Sequence, residues 1–248
     1  MKRHMEHRFG VAWDSPGPRL RDYVQALRAV WRSWHTGEPL AHWGPFYSLD
    51  LMTPEFSPGP APHGPIAVDI AAVNPYNLEL AGELCDGVRL HVFSTPGYVR
   101  DVVRPRLEAG AACAGRDLGT GFEVYGGGFV ATGATAADAE QARERARARV
   151  AFYGSTLAYL PVLEHHGWGG LRAELRELVR QERWGDLAAV VPDEVLDEFC
   201  TTGTYQELAP ALARRWAGLV TTVQVPAPVP FSPQWEGFAD ACAAVSRL

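Results

Sequence analysis

The chain has 248 residues, 47% hydrophobic and 21% charged, a globular composition that excludes a disordered chain. The length allows one large domain or two small ones and is enough to bury a sizeable core. A formal net charge of -6 leaves no basic surplus, which speaks against nucleic acid as a partner.

The start, Met1-Lys2-Arg3-His4-Met5-Glu6-His7-Arg8, is charged and lacks the apolar core of a signal peptide. Asp14-Ser15-Pro16-Gly17-Pro18 reads as a turn launching a helix. From Arg19 to Trp34, Leu20, Tyr23, Val24, Leu27, Val30, Trp31 and Trp34 recur at spacings of three and four, an amphipathic stripe that Thr36-Gly37 ends. Leu40–Leu51 reads as a short hairpin, and the Pro- and Gly-dense stretch Pro54–Pro65 as a loop. Ile66–Val73 is a nearly unbroken apolar run, the pattern of a strand covered on both faces. Asn74-Pro75 then supplies an N-cap and a first helical residue for a helix over Tyr76–Cys85. A second strand, Val88–Phe93, follows Asp86-Gly87. Ser94-Thr95-Pro96 starts a helix reaching about Ala114 with Pro105 inside it. Phe122–Thr132 reads as a third strand with Gly126-Gly127-Gly128 in its middle. Thr135 caps an Ala- and Arg-rich helix through Phe152.

Strand, helix, strand, helix, strand, helix is the order of parallel α/β sheets and barrels. After Gly154 the pattern turns helical, around Leu171–Arg183, Pro192–Phe199 and Tyr205–Trp216. A last strand follows at Leu219–Val225, then a Pro-rich tail over 226–248 with a short helix near Gly237–Val245. No apolar run approaches the roughly 20 residues of a membrane helix. Cys85, Cys113, Cys200 and Cys242 are scattered without a CxxC pair, which predicts reduced thiols in a cytoplasmic protein.

The length suits a complete eight-stranded barrel, typically about 250 residues, but the strand count does not. Four strands are readable, and a βα unit takes roughly 30 residues, so four more units need on the order of 100 further residues. The reading is half a barrel with insertions, or a different open α/β fold.

The order of motifs resembles the luciferase-like monooxygenase superfamily, particularly its actinobacterial deazaflavin-dependent oxidoreductases. His4-x-Glu6-x-Arg8-Phe9-Gly10 looks like the segment after barrel strand four, and Arg21-x-Tyr23-Val24-x-Ala26-Leu27-Arg28-Ala29-Val30-Trp31 like the next helix. Gly44-x-Phe46-Tyr47 and Leu51-Met52-Thr53-Pro54 resemble the insertion before strand five, and Ala71-Ala72-Val73-x-Pro75 the end of that strand. Ala81-Gly82-Glu83-x-x-Asp86-Gly87 resembles the helix leading into strand six. Phe152-Tyr153-Gly154-Ser155-Thr156 and His166-Gly167-Trp168 continue the likeness through about Val225.

The resemblance implies an α/β fold that is a partial TIM (β/α)8 barrel, strands five to eight, in one domain over 1–248. Strands one to four have no counterpart, which predicts exposed sheet edges, oligomerisation and little turnover for the chain as written. The implied activity is hydride transfer between a deazaflavin, coenzyme F-420, or alternatively FMN, and a small organic substrate; FMN used with oxygen would make it a monooxygenase. A reading from another class is a non-catalytic half barrel or interaction protein.

The expected site lies at the C-terminal ends of the strands. Small side chains at Ala71 and Ala72 would let a flat ring or a phosphate approach the backbone. With Val73 and Asn74 they would form the cofactor's phosphate side, at a helix start suited to an anion; the plainer reading of Asn74 is a helix cap alone. His91 is the candidate proton donor or acceptor beside the transferred hydride; its plainer reading is a hydrogen-bonded core histidine. Glu164-His165-His166 reads as a polar helix end rather than a metal site, Gly126-Gly127-Gly128 as close packing within a strand, and Arg143–Arg149 as a solvated helix face.

Overall fold

The computed structural model of the chain describes residues 2–119 and 121–246. A short helix, α1 (Lys2–His7), precedes α2 (Pro16–Thr36). Pro16 and Pro18 lie in the opening turn of α2, where their missing N–H groups have no intrahelical partner to lose. Val24 and Ala26 are buried, while Tyr23 stays exposed and meets Tyr47 edge to face. The expected hairpin forms from β1 (His42–Trp43) and β2 (Ser48–Leu49). Asp22 of α2, 1% exposed, holds it in place. Its carboxylate accepts the Phe46 and Tyr47 N–H groups at 2.7 and 2.9 Å and lies 2.8 Å from His42 Nε2. Burial works against the charge, but these bonds outweigh it and hold the carboxyl below its usual range.

The α/β part runs β3 (Asp69–Ala72), α3 (Pro75–Leu84) and β4 (Gly87–Leu90). Next, α4 (Pro96–Tyr98), a π-turn over Val99–Val103 and α5 (Arg104–Cys113) follow one another with helical dihedrals at both junctions. The wider turn lies just before Pro105, which has no N–H to give the preceding turn. β5 (Glu123–Gly126), β6 (Phe129–Gly133) and α6 (Ala136–Gly154) come next. Then come α7 (Leu160–His165), α8 (Gly169–Arg180) and α9 (Asp193–Phe199), β7 (Cys200–Thr204), α10 (Tyr205–Trp216), β8 (Thr222–Val223) and α11 (Trp235–Val245).

Strands β3, β4, β5 and β8 form an open parallel sheet in that order, the order the sequence predicts for its four strands. Ile70, Ala72 and Val88 face the core, whereas Ala71 and Arg89, paired in register, are exposed on the other face. There the Arg89 guanidinium lies 4.0 Å from the Tyr125 ring centroid and 3.0 Å from Asp69 Oδ2.

Two strand expectations are corrected. The predicted third strand, 122–132, is two strands. Gly127 and Gly128 take positive φ angles of 107° and 64°, and the chain turns from β5 into β6, which pairs in parallel with β7 in a separate sheet. The glycines are closely packed, since a Cβ on Gly128 would sit 2.9 Å from the Phe199 carbonyl oxygen. They form a bend, not the middle of a strand. The predicted last strand, 219–225, shrinks to Thr222–Val223. The Thr-rich β7 escaped the sequence reading because it lies between two helices with no break and takes its order from its partner β6.

Three pairs of contacts fasten the helices around the sheet. Arg21 makes a bidentate pair with Glu83 at 2.5 and 2.6 Å. Arg28 bonds the Leu84 carbonyl and Asp86, each at 2.8 Å, and Asp86 also takes the Val68 N–H. Helices α3 and α5 cross backbone to backbone: a Cβ on Gly82 would lie 2.0 Å from the Leu107 oxygen, and one on Gly110 1.9 Å from the Glu79 oxygen. Among the described residues no helix is long and apolar enough to cross a membrane.

Candidate functional site

The C-terminal ends of β3, β4 and β5 adjoin in the sheet. His91 follows the last residue of β4. Its ring stacks on Tyr159 with centroids 4.6 Å apart and meets Tyr153 edge to face at 4.5 Å. His91 Nδ1 accepts the Phe93 N–H at 3.0 Å, so the neutral ring carries its proton on Nε2. Burial, aided by the charge of Arg149, moves its pKa below the ordinary value. The imidazole is therefore held neutral and oriented in an aromatic box whose walls come from the end of α6 and the turn after it. Burial, with Tyr153 adding to it, also raises the Tyr159 phenol.

At the end of β3 the four expected residues separate. Ala71 is exposed on the open sheet face, but Ala72 is 2% exposed and turned into the core. Only one of the two small side chains can admit a ligand. Val73 is half-buried, and Asn74 is exposed with its Oδ1 accepting the Asn77 N–H at 2.9 Å. The side chain of Asn74 is thus spent as a cap. Tyr76, just beyond Pro75, has its hydroxyl 3.3 Å from Arg21 Nε.

The histidine pair after α7 divides between two partners. His166 Nε2 lies 2.8 Å from Thr95 Oγ1, which caps α4, and its ring stacks on Trp168 at 4.6 Å. His165 Nε2 sits 3.4 Å from Asp101. Among the described residues no three metal-binding side chains converge.

The sequence reading missed a division within α6. Arg143 and Arg147 are not a solvated face: their side chains are 13% exposed and locked to acids. Arg143 holds Asp197 at 2.7 Å and Asp193 at 3.0 Å, and Arg147 holds Glu144, Asp193 and the Val191 carbonyl. Arg145 and Arg149 are exposed and, among the described residues, have no carboxylate within ion-pair distance. They line a cavity of about 420 Å³ with Val92, Phe129, Thr132, Gln224 and the 226–228 segment. The signal was present in the sequence: arginine at every second position of a helix makes two i,i+4 pairs on different faces.

A family model described as luciferase-like monooxygenase matches residues 1–222. The chain is 41% identical over 220 residues to an uncharacterized protein of Mycobacterium tuberculosis, covering 89% of this chain and 64% of that protein. It is 28% identical over 229 residues to the 5,10-methylenetetrahydromethanopterin reductase of Archaeoglobus fulgidus, covering 90% and 64%. Two solved structures share the fold. The coenzyme F-420-dependent tetrahydromethanopterin reductase from Methanopyrus kandleri has a TM-score of 0.64 at 21% identity, covering 92% of this chain and 62% of that one. The EDTA monooxygenase from Chelativorans sp. BNC1 has a TM-score of 0.63 at 19% identity, covering 97% and 62%. The chain spans about 64% of the length of these curated relatives.

Proposed function

The chain belongs to the luciferase-like monooxygenase family, and from that premise we propose that it transfers hydride between coenzyme F-420 and a small organic substrate at the C-terminal ends of β3, β4 and β5. FMN is the alternative coenzyme, and with oxygen it would make the reaction a monooxygenation. In this reading β3, β4, β5 and β8 are strands five to eight of a (β/α)8 barrel. The observation that carries the site is His91, a neutral ring with its Nε2 proton available, fixed by Tyr153, Tyr159 and the Phe93 N–H.

The residues present fit a flavin-like heterocycle. Ala71 offers an exposed methyl on the sheet face, and His91, Tyr153 and Tyr159 offer flat, half-buried walls on the neighbouring strand end. Ala71, Val73 and the start of α3 at Asn74 would hold the phosphate side, with Ala72 behind them in the core. The coenzyme, when bound, supplies the two-electron redox chemistry. The Nε2–H of neutral His91 would donate a hydrogen bond to the substrate oxygen on which charge develops as hydride is transferred, the ring staying neutral throughout, while the proton that oxygen gains or loses would be exchanged with solvent. The aromatic box orients the imidazole and keeps water from it, and the lowered pKa keeps it uncharged near neutrality.

Fluorescence titration with coenzyme F-420 and with FMN tests the reading. Saturable binding of one of them is expected, and His91→Ala should leave that affinity within about threefold while cutting turnover by about 100-fold. Binding of neither coenzyme would defeat the proposal.

A further inference from the structure

We infer that the cavity between α6 and the 224–234 segment receives the anionic end of the organic substrate, a carboxylate or a phosphate, with Arg145 and Arg149 as its counter-charges. Assigning the anion to the substrate rests on the oxidoreductase reading above; the anion site itself rests on the cavity.

The lining contains two arginines and no acidic residue. Arg149 lies over the Phe129 ring, 5.5 Å from its centroid, and among the described residues the Arg145 side chain bonds only the amide oxygen of Gln141, at 2.9 Å. Two guanidinium groups four residues apart on a helix repel one another. On the opposite side of α6 acids neutralise the equivalent pair, and here nothing in the described chain does. An anion would supply the missing charge through charge-assisted bonds, for which the planar guanidinium fork suits carboxylate and phosphate alike.

Neutral polar groups complete the wall: Gln224, Gln234, Tyr205, and Thr132, whose hydroxyl has no hydrogen-bond partner. Val92, Phe129 and Pro226 give the cavity an apolar side, as a ligand with a carbon skeleton requires. Its volume of about 420 Å³ is that of a small-molecule site. Val92 adjoins His91 in the chain, and the charge of Arg149 is felt at the His91 ring. A molecule anchored by its anion at Arg149 would lie along the Val92 side of the cavity, one residue in the chain from His91.

Arginine modification by phenylglyoxal, mapped by peptide mass spectrometry, tests the site without an identified substrate. Inorganic phosphate and succinate serve as separate probes for the two anion types, and exposed Arg176 of α8 is the internal reference. At least one probe should slow modification of Arg145 and Arg149 about fivefold or more relative to Arg176, and Arg149→Ala should abolish protection of Arg145. Protection no greater than at Arg176, or unchanged at Arg145 in the Arg149→Ala protein, would overturn the inference. Coenzyme titration of the Arg145→Ala, Arg149→Ala double variant distinguishes the two claims. Unchanged coenzyme affinity in the double variant, together with protection of Arg145 and Arg149 by the anion in the wild type, supports the substrate assignment. A loss of about tenfold or more in coenzyme affinity overturns it, by giving the arginines to the coenzyme. If wild type binds neither coenzyme yet phosphate still protects, the hydride-transfer proposal fails and the anion site stands.

Discussion

Helix α6 presents two arginine pairs that share a residue type, a spacing and a helix, and differ in what surrounds them. Arg143 and Arg147 meet α9, whose first residue Asp193 and Asp197, one turn further on, reach back to them. Arg145 and Arg149 meet a cavity without acids. The first pair is structural: each guanidinium closes a network and satisfies a backbone carbonyl or a helix start. Among the described residues the second pair has no carboxylate partner: Arg145 bonds the Gln141 amide and Arg149 lies over the Phe129 ring. A cation at the wall of a cavity with no carboxylate beside it leaves its charge available to a ligand. The pattern of charges on one element is therefore not enough to assign its role; the facing element decides it.

Removing each pair should separate the two roles. The Arg143→Ala, Arg147→Ala double variant should lose about 2 kcal/mol by urea denaturation, chiefly because it leaves the Val191 carbonyl without its guanidinium donor and removes two largely buried side chains, the exposed carboxylates rehydrating at little cost. The Arg145→Ala, Arg149→Ala protein should stay within about 0.5 kcal/mol of wild type in the same measurement. Equal losses would erase the comparison.

A milder change sharpens it. Arg147→Lys keeps the charge but cannot reach Glu144, Asp193 and the Val191 oxygen together, so about 1 kcal/mol should be lost by the same measurement. The β7 strand below carries the opposite case. Thr201 is 2% exposed and its hydroxyl has no partner. Thr201→Val should therefore raise stability by about 0.5 kcal/mol in thermal unfolding; a loss of that size would mean that the hydroxyl is bonded.

The smallest effect is electrostatic. His91 is depressed first by burial and then by Arg149. Arg149→Gln should move its NMR titration upward but still leave it below the usual value of about 6.5, since burial remains. The sign for stability follows. The unfolded chain takes up a proton at higher pH than the folded one, so the contribution of neutral His91 is complete above about pH 6.5 and falls away as the pH drops through the folded value. Replacing Arg149 should narrow that loss. An unchanged His91 titration would show that the two residues are not coupled.

Much of the scaffold was legible because local signals and tertiary role agree. Asn74-Pro75 reads as a helix start and is one; Thr135 reads as a cap and forms a full capping box with Asp138. The motifs that carried the family resemblance also have visible work. Arg21 and Arg28 of α2 clamp Glu83 and Asp86, and Tyr153 reaches the His91 ring. What was not legible depends on neighbours distant in sequence. β7 is ordered by β6, the Gly127–Gly128 bend by the packing of Phe199 and Trp216, and the aromatic box by residues 62 and 68 positions from His91. The alternation of small residues at 71 and 72 was readable from strand geometry, and it already says that only one of them can face a ligand.

The crossing of α3 and α5 bears on which sequences this fold can accept. At Gly82 and Gly110 the neighbour of the missing side chain is a carbonyl oxygen of the other helix, and backbone has no rotamer with which to step aside. In a saturation library selected for folded protein, positions 82 and 110 should return glycine alone, and no second substitution elsewhere should rescue alanine at either. Positions 79 and 108, three and two residues away and partly or fully exposed, should accept many residues. Drift in this family's surface could then be extensive while that single junction stays fixed, since the two helices meet there through the one part of the chain that mutation cannot reshape.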